Sequence, residues 1–72
     1  MKYTMNIIWD EEAQVWYSDS SELPVFLNDA SYDNLIARIR AAATDVLENM
    51  NGYVGPINII FESVRVEKAL VS

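Results

Sequence analysis

The chain has 72 residues, 11 acidic against 5 basic side chains, a formal net charge of −6, and neither cysteine nor histidine. That length holds one domain around one core, and a hydrophobic content of 51% separates it from disordered chains. The missing residue types exclude a disulfide framework, a thiol nucleophile and most zinc or copper sites, and the acidic balance argues against direct binding to nucleic acid or anionic membrane.

The apolar runs are only a few residues long, far short of the roughly 20 that span a bilayer. The opening Met1 to Asn6 lacks the apolar stretch of a signal peptide. A cytoplasmic location is expected. Two readings of the charge stay open: it keeps a small domain soluble, or it suits a basic protein partner.

Tyr3, Met5, Ile7 and Trp9 alternate with Lys2, Thr4, Asn6 and Asp10, the pattern of a half-buried strand, with Ile8 as an apolar exception on the polar side. The polar stretch Asp10 to Gln14 reads as a hairpin loop, and Val15 to Ser18 as the returning antiparallel strand. A polar loop then ends in Leu23-Pro24, where the proline lacks a ladder donor. Val25-Phe26-Leu27 reads as a short third strand, with Phe26 on the face opposite its neighbours.

Ser31 is the expected N-cap of a helix over Tyr32 to Met50, with Asp33 in its first turn. Leu35, Ile36, Ile39, Ala42, Ala43, Val46, Leu47 and Met50 form its apolar stripe, and Asn51-Gly52 stops it. Tyr53 to Pro56 connects to a fourth strand in which Ile57, Ile59 and Phe61 alternate with Asn58 and Glu62. Ile60 again falls on the polar side, and Ser63 to Val66 could extend the strand. Glu67 to Ser72 could fray or continue it.

This order predicts an α+β domain, β-β-β-α-β, with a single mixed or antiparallel sheet and one helix packed on one face. The whole chain, 1–72, reads as one domain. One helix leaves the other face of the sheet bare. Ile8, Ile60 and one member of each pair Trp16/Tyr17 and Phe26/Leu27 are expected there. Large apolar groups on a bare face mark a contact surface, although scattered surface hydrophobes are also ordinary.

No motif for chemistry emerges. Two glycines, Gly52 and Gly55, make no phosphate loop. Asp10, Glu11 and Glu12 read as a solvated turn, and Asp29 and Asp33 as helix-capping acids; a metal nuclease would need carboxylates converging from separate elements. The aromatic residues could stack on bases, but the one close basic pair, Arg38 and Arg40, is turned roughly 200° apart on a helix. No catalytic residue, cofactor or metal is expected.

Over residues 3 to 66 the pattern resembles the N-terminal domain of HicB-like antitoxins, particularly the short stand-alone versions. The resemblance rests on the opening strand, Val15-Trp16-Tyr17-Ser18, the loop ending in Pro24, and the run Asn28 to Leu35, where Asp29, Ser31, Asp33 and Leu35 match the family pattern. Val25 and Asn28 stand where the family often has glycine, and Asp33-Asn34 where it has glutamates. The resemblance implies a truncated ribonuclease-H-like sheet without a working metal site. It also implies a non-catalytic antitoxin of a type II toxin–antitoxin pair, neutralising a small basic HicA-like toxin ribonuclease by occlusion. Such antitoxins usually carry a further DNA-binding segment, and no operator binding is expected of these 72 residues. Ile8, Trp16, Phe26 and Ile60 are the candidate partner-binding residues. The alternative function is a self-associating structural or regulatory module, a homo-oligomer without a toxin partner.

Overall fold

A computed structural model describes residues 2–71. The elements are β1 (Lys2–Asp10), β2 (Val15–Asp19), β3 (Asn28–Asp29), α1 (Tyr32–Asn51) and β4 (Asn58–Val64). They build one four-stranded mixed sheet in the order β3-β2-β1-β4. β1 and β2 are antiparallel, as are β2 and β3, whereas β4 runs parallel to β1. The helix therefore carries the chain from one edge strand to the other, as a parallel connection requires.

The expected β-β-β-α-β order is present, with one correction. The third strand is not Val25 to Leu27 but the two residues Asn28–Asp29. The reason is Ser18. Its buried hydroxyl donates to the Val25 carbonyl at 2.8 Å and accepts from the Leu27 amide at 2.9 Å. A side chain thus occupies the place of the ladder, and regular pairing begins only beyond Leu27, whose carbonyl accepts from the Ser18 amide. The loop before it is used in the same way. Ser20 Oγ donates to the Thr4 carbonyl at 2.7 Å, and the Thr4 amide donates to the Glu22 carboxylate at 2.9 Å. Two loop side chains so satisfy β1 where β2 no longer reaches.

The core comprises Met5, Ile7, Leu23, Val25, Leu35, Ile39, Ala43 and Leu47. Leu35, Ile39, Ala43 and Leu47 follow one another at four-residue steps along a single face of α1, as burial against a sheet demands. Met50, placed in that stripe by its spacing, is 65% exposed. It lies in the last turn, beyond the part of α1 that the core holds. Ser31 caps the helix, its Oγ accepting from the Asn34 amide at 3.3 Å. At the other end Gly52 adopts the left-handed conformation with φ 63°, its amide donating to the Glu48 carbonyl. Of the stretch expected to fray or continue, Ser72 lies outside the described residues. Residues 65–71 follow β4 as exposed chain.

Candidate protein-contact surface

The ladder registers decide which side chains share a face. Across the hairpin Ile8 faces Tyr17 and Trp9 faces Trp16; across the parallel ladder Ile8 faces Val64 and Thr4 faces Ile60. Paired residues point to the same side of a sheet. Tyr17, Ile8 and Val64 therefore form a row across three strands on the side away from α1, and Ile60 lies further along β4 on that side. None of these four belongs to the packed core, whereas Trp16, Ile59 and Phe61 pack against it.

The bare side is apolar at its centre and acidic around it. Tyr17, Ile60 and Val64 are exposed and Ile8 is half-buried. Asp10, Asp19 and Glu62 alternate onto the same side, where Lys2 is the one base among the described strand residues. Asp10 also shapes the hairpin, since its carboxylate accepts from the Glu12 and Ala13 amides. That geometry agrees with a turn-forming role for this acid. Asp29 accepts from the Ser31 amide at 2.8 Å and pairs with Arg38 at 3.3 Å, which fastens the helix start to β3. Among the described residues no three acids gather as a cation-holding group.

The candidate contact residues divide. Ile8 and Ile60 lie on the bare face. Phe26 is 67% exposed, between the inward-facing Val25 and Leu27. Trp16 lies elsewhere: it is the helix-side member of its pair, and Tyr17 takes the bare side. Trp16 packs edge-on against Tyr32 at 5.2 Å and tilts against Trp9 at 5.2 Å. The guanidinium of Arg65 stacks over Trp9 at 4.5 Å and reaches Trp16 at 5.8 Å. Tyr32 closes the cluster through a hydrogen bond between its hydroxyl and that of Ser63 at 2.7 Å. Sequence reasoning left the pair Trp16/Tyr17 open for the bare face but named Trp16 as the candidate, and it missed Val64. The signal available for Tyr17 was the four-residue loop Glu11 to Gln14, which sets Trp9 against Trp16.

Residues 2–71 match the family described as Domain of unknown function (DUF1902). The chain belongs to the DUF1902 family. No curated protein matches it. Among solved structures, this DUF1902 domain is similar to the hypothetical protein TTHA1013 from the extremely thermophilic bacterium Thermus thermophilus. The TM-score is 0.79 at 22% identity, over 96% of this chain and 100% of that one. At that identity the likeness establishes the fold of the DUF1902 domain. No described helix of it is long and apolar enough to cross a membrane.

Proposed function

We propose that this DUF1902 domain is a non-catalytic protein-binding module, a HicB-like antitoxin that neutralises a small basic HicA-like ribonuclease by covering its active surface. The observation that carries this reading is the bare sheet face, where Tyr17, Ile8, Val64 and Ile60 lie beside Asp10, Asp19 and Glu62. An apolar centre with an acidic surround suits a basic partner: the apolar groups supply desolvated contact and the acids speed and orient encounter. The absence of histidine and cysteine from the sequence and the structural engagement of Asp10 and Asp29 support a binding role. The resemblance to HicB-like domains rests partly on Pro24, Asp29, Ser31, Asp33 and Leu35. Of these, Asp29, Ser31 and Leu35 build the helix start and its first buried turn, so the resemblance bears first on fold.

The test is a titration. A small basic HicA-like ribonuclease is mixed with increasing domain, and RNA cleavage is followed. Activity should fall to zero at a fixed stoichiometric ratio. Undiminished cleavage at a large excess of folded domain would reject the antitoxin reading.

A further inference from the structure

β4 is an edge strand with β1 on one side only, and the seven described residues 65–71 follow it. Those residues are exposed although several are apolar: Val66 is 85% exposed, Leu70 89% and Val71 98%. They lengthen the molecule. The long axis is 56 Å against 19 and 18 Å, and the radius of gyration is 14.3 Å, where a compact chain of this length has about 11 Å. β1 and α1 each span roughly 30 Å, and seven extended residues add roughly 23 Å. A long open edge continued by an apolar arm is a template for another strand.

We propose that the strand is a second copy of this chain, paired antiparallel along residues 59–71 about a two-fold axis at Arg65. The sequence of this segment is complementary to itself. With Arg65 facing Arg65 of the second copy, Val64 meets Val66, Glu62 meets Lys68, Phe61 meets Ala69, Ile60 meets Leu70 and Ile59 meets Val71, each pair occurring twice. Apolar residues meet apolar ones, and each Glu62 meets a base. Shifting the pairing by one residue sets the two faces of the sheet against each other. Shifting it two residues puts Ile60 against Lys68 and Glu62 against Val66 in one direction. In the other, Glu62 meets Leu70 and Val64 meets Lys68. No other nearby register matches both apolarity and charge.

The surroundings of β4 fit the arm. Between α1 and β4 lies a groove of about 540 Å³, whose lining includes Ala37, Arg40, Ala41, Ile57, Ile59 and Phe61. In this register Ala69 and Val71 of the second copy fall on the groove side of the sheet, the small alanine beside the bulky Phe61. The two Arg65 side chains avoid each other, because each is stacked on its own Trp9 and bonded to its own Glu67 at 2.8 Å. Glu67 of each copy is also a diagonal neighbour of Arg65 of the other, so the centre is neutral. The two bodies lie end to end along the strand direction, both helices on one side of an eight-stranded sheet. On the other side Val66 and Leu70 extend the apolar face around Ile60 and Val64.

Sedimentation equilibrium of the intact chain tests this without any toxin, so its result is independent of the antitoxin reading. A species of two 8.2 kDa chains is expected. Glu62→Lys alone and Lys68→Glu alone each create two like-charge pairs and should weaken the dimer about tenfold or more. The two together should restore it. The chain has no cysteine, so Arg65→Cys should yield a disulfide-linked dimer on mild oxidation, the two positions being within bridging distance. A monomer at millimolar concentration, or a dimer indifferent to the single swaps, not rescued by the double swap or not cross-linked at position 65, overturns the proposal.

Discussion

Ile8 lies directly across the hairpin from Tyr17, on the side of the sheet that α1 leaves bare. The next pair along, Trp9 with Trp16, points to the other side and joins Tyr32 and Arg65 in an aromatic cluster. One hairpin thus serves both the folded interior and the open face.

The open face can be altered without touching the core. Ile8→Thr combined with Ile60→Thr should change unfolding free energy by less than about 2 kcal/mol, since neither side chain is fully buried. The same pair should abolish inhibition of a HicA-like ribonuclease. Urea unfolding and the cleavage titration check the two halves. A variant that inhibits as well as the parent would remove this face from the binding reading.

Ser18 holds the irregular segment before β3. Ser18→Ala should strip the Val25 carbonyl and Leu27 amide of their buried partner and destabilise the domain by about 1–3 kcal/mol. Amide hydrogen exchange should quicken most at Leu27. Unchanged protection there would show that another group takes over.

Ile39 is fully buried at the centre of the helix stripe. Ile39→Ala should cost about 2–5 kcal/mol by lost burial and the cavity left behind. Met50→Ala, at an exposed position that the same periodicity placed in the stripe, should cost less than about 1 kcal/mol. Paired denaturation curves would show the contrast, and equal losses would contradict the packing described.

Gly52 ends α1 with φ 63°, and an added Cβ there would meet no atom within 4 Å. Gly52→Ala should therefore destabilise by about 1 kcal/mol through backbone conformation alone. Gly52→Asn should recover much of this, because asparagine tolerates the left-handed region. Thermal unfolding of both variants measures the difference.

Much of this was legible in the residues. Alternation in β1 identified Met5 and Ile7 as core and Ile8 as the exception, and Ser31 and Gly52 marked the helix ends. Val25 to Leu27 misled because its apolar composition suits a strand, while the hydroxyl that interrupts its ladder comes from Ser18, seven to nine residues earlier. Met50 misled because periodicity continues past the point where the sheet stops covering the helix.

The sequence by itself determined the order of elements, the acidic balance and which side chains alternate inward, because these depend on local backbone geometry and composition. The self-complementary spacing of residues 59–71 is also written there, although nothing local marks it. Only the tertiary structure decided that β4 is a parallel edge strand, that Tyr17 rather than Trp16 shares the bare face with Ile8 and Val64, and that Arg65 closes over Trp9. Those outcomes depend on which strands meet and in what register, and hydrogen bonds between distant segments fix that register.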